Sequence, residues 1–166
     1  MNDQYQLASH LVEHLSERGL HITTVESCTG GGLVNCITNV SGASAVIKDA
    51  RVTYSNEAKI ALGVPAEVID QYGVYSLETA IAMAKAGVAK SVQADIGVGI
   101  TGSISRVDPA NPDSVPGEVY IAAIYGEQQR AEKYVFADEA ERWEVKDSAI
   151  HAALSMVTKL LSDDHQ

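Results

Sequence analysis

Residues 25–32, with the sequence VESCTGGG, place a serine, a cysteine and a threonine directly before three glycines. The residues before this stretch (21–25) predict a short strand, and those after its start (30–39) predict an apolar helix. A sharp strand-to-helix corner exposes its corner residue and leaves backbone N–H groups of the first helical turn beside it. The pattern therefore predicts small, potentially reactive side chains at an exposed corner.

Such a corner has two interpretations. Helix-start N–H groups can hold an anion or the oxyanion of a tetrahedral intermediate, and glycines let a ligand approach the backbone closely. The candidate nucleophile and ligand contacts are then Ser27, Cys28, Thr29, Gly30 and Gly31. The alternative is a tight turn in which the Ser and Thr hydroxyls serve only as caps.

A nucleophilic serine needs a base, and Lys59 is the candidate. The histidines lie near the termini or at His21 and His151, and none stands out as a base. A lysine titrates at about 10.4 in water, which is too high for a base at neutral pH. Burial and the positive end of a helix dipole would both lower that pKa. The alternatives are a surface lysine, the usual state of lysine, or a lysine that Glu26 keeps protonated.

Three other motifs do not fit their usual chemistry. Residues 97–102 match G-x-G-x-x-G, but a proline-containing loop follows where a dinucleotide site needs a helix. Those glycines are better explained by close approach of a neighbouring element. His10 and His14 match H-x-x-E-H on the polar face of an amphipathic helix with no third ligand. The triglycine lacks the G-K-[S/T] of a P-loop. We therefore expect neither a metal nor a cofactor.

Helices and strands alternate along the chain. This order predicts a three-layer α/β/α sandwich, and a closing hairpin makes its sheet mixed. We expect one domain over residues 1–162 and a disordered tail over 163–166. The predicted helices are 3–18, 30–39, 56–62 capped by Ser55, a short helix after Pro65, 77–91 capped by Ser76, and 140–161. The predicted strands are 21–25, 50–54, 94–101, 118–125 and 130–136, with a loop over 102–117. The apolar stripe of the last helix is expected to contain Trp143, Ala149, Ala153, Met156 and Leu160.

The composition limits the classes of partner. Net charge is −10, from 12 basic and 22 acidic residues, which does not suit binding along a nucleic-acid backbone. We see no apolar run long enough to span a bilayer and no secretory signal, so we expect a cytoplasmic protein without membrane contact.

Cys28 and Cys36, predicted to share one helical segment, would be about 12 Å apart along its axis. That separation is too large for a disulfide.

Three segments together carry a resemblance to a known family. They are VESCTGGG, VTYSNEAKIALGV at residues 52–64, and the strand ending GITG at residue 102. In these segments the chain resembles the CinA C-terminal domain family, whose characterised enzymes include nicotinamide-nucleotide amidases of the PncC type. The resemblance covers residues 21–125, with a weaker tail.

The resemblance implies an activity and a set of site residues. The family's enzymes convert nicotinamide mononucleotide to nicotinate mononucleotide and ammonia, a step of the pyridine nucleotide cycle that recycles NAD. They use a serine nucleophile assisted by a lysine, which map here to Ser27 and Lys59, with Cys28 as the less favoured alternative nucleophile. Tyr54, Thr101 and Gly102 lie in matching segments and are expected to contact substrate. The resemblance also implies a homodimer or higher homo-oligomer, and the alanine-rich helix 77–91 is expected to offer the flat face for it.

Two segments depart from the family pattern. After GITG the family continues with a glycine-rich run, whereas residues 103–109 read SISRVDP. The family's G-D-R step before the last helix is also absent. Arg142 stands where its arginine would be and Lys146 where a second arginine would follow, and a lysine lacks the bidentate fork of an arginine. A differently specific or non-catalytic paralogue with a nucleotide-sized pocket is therefore the second hypothesis.

Overall fold

The structure, a computed structural model, describes residues 2–137 and 139–164. The strands are β1 (Ile22–Glu26), β2 (Arg51–Val52), β3 (Ile96–Gly102), β4 (Glu118–Tyr125) and β5 (Gln128–Val135). The helices are α1 (Asp3–Arg18), α2 (Gly32–Thr38), α3 (Asn56–Leu62), α4 (Ala66–Tyr72), α5 (Leu77–Lys90) and α6 (Arg142–Asp163), with a single 3₁₀ turn at Ala43–Ala45.

The five strands form one mixed sheet in the order β2-β1-β3-β4-β5. β1 pairs in parallel with β2 and β3, whereas β4 runs antiparallel to both β3 and β5. α1, α2 and α6 pack together on one face, and α5 with α3 and α4 packs on the other. The predicted α/β/α sandwich with a mixed sheet is confirmed.

The two faces of β3 are built differently. Ile96, Val98 and Ile100 point into the large apolar core beneath α1, α2 and α6. The glycines between them face α5, and a Cβ on Gly99 would lie 2.1 Å from the carbonyl oxygen of Ala80. Removing side chains from this face of the strand therefore lets the α5 backbone lie directly on the sheet. The G-x-G-x-x-G pattern is thus a packing feature, as predicted.

Capped helices match their predicted bounds well. The Ser55 side chain accepts a hydrogen bond from the Ala58 N–H, and the Ser76 side chain accepts one from the Thr79 N–H. The elements without such side-chain caps shift by a few residues: α2 begins at Gly32, β5 begins at Gln128, and only residues 51–52 of the predicted strand 50–54 are paired.

Cys28 is not in α2, contrary to the prediction, but lies in the turn before it. Cys28 and Cys36 are both free thiols.

The last helix differs from its prediction at both ends. Trp143 is 64% exposed and does not belong to the buried stripe, which begins at Val145. α6 also extends to Asp163, whose carboxylate pairs with Arg130 at 2.6 Å. Part of the predicted disordered tail is therefore helical. The last two residues, 165–166, lie outside the described residues.

The alanine-rich helix α5 does not offer the free flat face that was expected. Its small residues Ala80, Ala84 and Gly87 are buried against the sheet. The small-residue face is needed for packing within the chain, so it gives no support to an oligomer.

Over residues 2–137 and 139–164, none of the helices combines the length and the apolar character required to cross a membrane.

Candidate active site

Ser27 stands at the corner where β1 ends. Its N–H donates to the carbonyl of Ile100 at 3.0 Å, which continues the pairing with β3 by one residue. Its own carbonyl accepts from the N–H of Gly30 at 3.0 Å, which closes the turn. Its side chain lines a cavity of about 860 Å³. The predicted strand-to-helix corner is thus present, with the serine facing a cavity.

Lys59 reaches this serine from the neighbouring helix. After the parallel pairing of β1 and β2, the Thr53 N–H still bonds to the carbonyl of Glu26 at 2.8 Å, which brings α3 beside the corner. The Lys59 side chain then runs through the interior, and the residue is only 1% exposed. Its ammonium or amine nitrogen, Nζ, lies 3.0 Å from the Ser27 Oγ and 2.8 Å from the Thr53 carbonyl oxygen. The structure therefore brings the two predicted residues into direct contact.

Burial changes the protonation of this lysine. Loss of water around Nζ lowers the pKa of Lys59 from 10.5 to about 8, and only the nearby Cys28 acts in the opposite direction. A lysine with a pKa of about 8 is partly neutral near physiological pH. A neutral Lys59 amine has a lone pair that can accept the Ser27 hydroxyl proton.

Glu26 does not hold Lys59 protonated. Successive side chains of a strand point to opposite faces, so Glu26 and Ser27 diverge. The buried Glu26 carboxylate turns towards α2, where it accepts bonds from the Thr29 hydroxyl at 2.7 Å and from the N–H groups of Leu33 and Val34 at 2.8 and 3.0 Å. The period-2 alternation of strand side chains was the sequence signal that could have predicted this separation.

The same carboxylate changes the expected origin of an oxyanion hole. The helix-start N–H groups of Leu33 and Val34 were expected to be free, but Glu26 occupies both. The N–H groups nearest to Ser27 are instead those of Cys28 and Thr29 in the turn. Neither N–H group has an acceptor among the hydrogen bonds of the described residues.

Cys28 has the properties of a poor nucleophile. It is buried, and burial raises the pKa of its thiol to about 12. The thiolate is the nucleophilic form of cysteine, so at neutral pH this side chain is almost entirely in its unreactive form. Its place on the cavity wall next to Ser27 makes it a contact surface for a ligand.

Arg142 and Tyr54 meet at the edge of the cavity. The Arg142 guanidinium donates to the Tyr54 hydroxyl at 3.1 Å and to the Ser105 Oγ at 3.2 Å. It thereby bridges the β2–α3 corner and the loop after β3. All three residues line the cavity, as does Gly102.

The remaining predicted contacts are not brought to this cavity. Thr29, Gly30 and Gly31 line a second cavity of about 490 Å³, together with Lys146. The Thr101 hydroxyl is fully buried and donates to the carbonyl of Val74 at 3.0 Å, without lining either cavity. Thr101 therefore ties β3 to the segment before α5.

Sequence reasoning missed one cluster of the cavity wall. Asp108 accepts from the Tyr75 hydroxyl at 2.7 Å and from the Asn111 side-chain amide at 2.8 Å. Burial and the bond to Asp108 raise the pKa of Tyr75, so its hydroxyl stays protonated and acts as the donor. The only signal in the sequence was that the loop after GITG departs from the glycine-rich family pattern.

No group of three or more His, Cys, Asp or Glu side chains that could hold a metal ion occurs within residues 2–137 and 139–164.

Fold and site together define an α/β domain with a serine at the carboxyl end of an inner strand of the sheet. The hydroxyl of this serine contacts the side chain of a buried lysine. The family model of the CinA C-terminal domain matches residues 4–161. The chain belongs to this family.

Individual relatives agree with this assignment. The chain is 38% identical to a CinA-like protein of Kosmotoga olearia over 91% of its length, and 37% identical to one of Syntrophobacter fumaroxidans over 92%. These alignments cover 36% and 35% of the two relatives, so the chain spans little more than a third of their length. Among solved structures, the competence/damage inducible protein CihA from Agrobacterium tumefaciens is 30% identical, with a TM-score of 0.86 and 96% coverage of both chains.

Proposed function

We propose that this protein is a serine–lysine amidohydrolase that deamidates nicotinamide mononucleotide to nicotinate mononucleotide and ammonia. The observation that carries the proposal is the 3.0 Å contact between the Lys59 Nζ and the Ser27 Oγ inside the larger cavity. Its volume of about 860 Å³ is in the range of cavities that enclose small-molecule ligands. Family membership supports the choice of substrate.

The chemistry begins with Ser27. Its Oγ attacks the carboxamide carbon while the neutral Lys59 amine accepts the hydroxyl proton. The N–H group of Cys28, which follows Ser27 on the cavity wall, is the proposed donor to the oxyanion that develops on the carboxamide oxygen. The Lys59 ammonium then gives its proton to the departing nitrogen, ammonia leaves, and an ester to Ser27 remains.

A water molecule completes the cycle. Lys59, again neutral, takes a proton from the water as the water attacks the ester carbon. The second intermediate collapses, the proton returns from Lys59 to the Ser27 Oγ, and the carboxylic acid so formed loses its remaining proton to solvent and leaves as the carboxylate. The Thr53 carbonyl, 2.8 Å from the Lys59 Nζ, keeps the nitrogen in place through both halves of the reaction.

Arg142 is the proposed contact for the substrate phosphate. It lines the cavity beside Tyr54, and its present partners are uncharged hydroxyls. Lys146 lies at the second cavity, so it does not share this role. We place the reaction in cytoplasmic recycling of pyridine nucleotides, and we expect a homodimer or higher homo-oligomer.

The first experiment is ammonia release from nicotinamide mononucleotide by the purified protein. Ser27→Ala should abolish release and leave stability nearly unchanged, whereas the matched Cys28→Ser should remain active. A Ser27→Ala protein with wild-type turnover, together with an inactive Cys28→Ser, would reassign the nucleophile.

Lys59→Arg tests the base. An arginine stays charged at any working pH and cannot accept the Ser27 proton, so this variant should be inactive. In wild type, kcat/KM should rise about tenfold between pH 7 and pH 9, because the neutral fraction of a base with a pKa of about 8 rises by that factor. Full activity of Lys59→Arg would exclude the serine–lysine mechanism.

The departure of residues 103–109 favours a second candidate, a paralogue that binds a nucleotide in this cavity without hydrolysing it. In that case nicotinamide mononucleotide would bind equally well to wild type and Lys59→Arg, and neither would release ammonia.

A further inference from the structure

The loop between β3 and β4 places a carboxylate on the wall of the Ser27 cavity. Asp108 and Arg142, which carry opposite charges, both line this cavity. Asp108 shares this cavity with Ser27 and with Tyr75, whose hydroxyl donates to its carboxylate at 2.7 Å.

Every partner of this carboxylate is neutral. Asp108 accepts from the Tyr75 hydroxyl, from the Asn111 amide at 2.8 Å and from the Ala110 N–H at 3.0 Å. These donors lower the pKa of Asp108, so the group is an anion at neutral pH. Within residues 2–137 and 139–164, no lysine, arginine or histidine forms an ion pair with it. The cavity wall therefore carries a carboxylate without an ion-pair partner among the described residues, while Arg106 and Arg142 line the same cavity.

The turn at Asp108 does not by itself require this charge. An Asx turn such as the Asp108–Ala110 contact needs one side-chain oxygen, which asparagine supplies equally well. Aspartate adds a full negative charge and a second acceptor oxygen, Oδ2, which accepts from the Tyr75 hydroxyl and the Asn111 amide. Hydrogen bonds from neutral donors fix its position and leave its charge available to a bound cation.

We propose that Asp108 is a specificity-determining residue that recognises the positive charge of an N-substituted pyridinium ring. The inference rests on the proposed function, since it names the class of carboxamide that the same site accepts. A pyridinium nucleotide carries a cationic ring and an anionic phosphate, and the cavity offers Asp108 for the first and Arg142 for the second. The preferred substrate is thus the zwitterionic, oxidised nucleotide, in preference to an uncharged carboxamide.

The test compares two nucleotides that differ in ring charge. Nicotinamide mononucleotide has a cationic ring, and its reduced dihydro form has a neutral one. Binding of each is measured by calorimetry to Ser27→Ala, which cannot consume them, and ammonia release is measured with the parent. A charge contact in a partly open cavity should favour the oxidised form about five- to tenfold. The two rings also differ in shape, but that difference affects every variant equally. It therefore cancels when the ratio of the two affinities is compared between variants.

Asp108→Asn, made in the Ser27→Ala background, should lower that preference about five- to tenfold relative to Ser27→Ala alone. Asp113→Asn is the matched control, because it removes the same charge from an exposed position of the same loop that does not line the cavity. It should keep the full preference. Tyr75→Phe removes one bond to Asp108 but keeps the charge, so it should retain the preference for the cationic ring.

The outcomes test the role of Asp108 and the amidase activity separately. An unchanged preference in Asp108→Asn, an equal loss in Tyr75→Phe, or failure of both nucleotides to bind would overturn the role of Asp108. Ammonia release with no Asp108-dependent preference would overturn this inference and leave the proposed function standing. A preference that depends on Asp108, without ammonia release by the parent, would support recognition by Asp108 and remove the amidase.

Discussion

The buried lysine gives a prediction about stability that does not depend on the substrate. Lys59→Met replaces the amine with an apolar side chain of similar length. In the folded protein the pKa of Lys59 is lowered to about 8, against 10.5 for an exposed lysine. Below pH 8 the folded and unfolded states are both protonated, and burial of the ammonium costs about 3 kcal/mol. This cost is present in wild type and absent from Lys59→Met.

The sign of the pH effect follows from proton binding. Between pH 8 and pH 10.5 the folded protein has lost the Lys59 proton while the unfolded chain still holds it. Stability rises with pH wherever the unfolded state binds more protons. The free energy of unfolding of wild type, relative to Lys59→Met, should therefore rise by about 1 kcal/mol between pH 7 and pH 9. By the time the pH exceeds 10.5, the same difference should have risen by about 3 kcal/mol in total from its value at pH 7.

Urea unfolding of both proteins at a series of pH values measures this difference, because other titrating groups affect both alike. Lys85→Met is the control: Lys85 is exposed on α5, so its removal should leave the pH dependence as in wild type. A constant difference between wild type and Lys59→Met from pH 7 to pH 9 would refute a depressed Lys59 pKa, and with it the argument for a neutral base.

Three further predictions concern the scaffold. Glu26→Gln should lower the free energy of unfolding by about 2 kcal/mol, because the amide NH₂ of the glutamine would face an N–H group of α2. The control Glu127→Gln, at an exposed position, should leave the free energy of unfolding unchanged. Gly99→Ala should cost about 3 kcal/mol in thermal unfolding, since its Cβ would lie 2.1 Å from the Ala80 carbonyl oxygen; an unchanged melting temperature would contradict that contact. Sedimentation at micromolar concentration should show a homodimer or larger assembly, and a monomer would exclude it.

Local sequence signals predicted the elements whose determinants are local. Ser55 and Ser76 each cap a helix whose first residue was predicted correctly, because a cap depends on residues only three positions apart. The glycines of β3 were correctly interpreted as packing residues, since the proline-containing loop after them excluded a dinucleotide site. Ser27 and Lys59 were candidates by residue type and by their places next to predicted strand ends, the family resemblance paired them, and the structure places the two in contact.

Features that depend on tertiary packing were not predictable in the same way. Trp143 lies at a helical position that fits the apolar stripe, yet it is 64% exposed, and burial along α6 begins only at Val145. Thr101 and Gly102 are neighbours on one strand, but only Gly102 faces the cavity. The contact between Tyr75 and Asp108 joins residues 33 positions apart through an aperiodic loop, for which no sequence pattern exists.

The glycine face of β3 has a consequence for how this domain can change over time. The atoms that a Cβ at Gly97 or Gly99 would meet first are main-chain oxygens, those of Ala84 and Ala80. No substitution on α5 can shorten a carbonyl group, so a side chain gained on the strand has no compensating replacement on the helix. α5 begins two residues after Tyr75, which lines the cavity. The two glycines therefore hold α5, and with it the segment that leads from the cavity wall into this helix, in one place on the sheet.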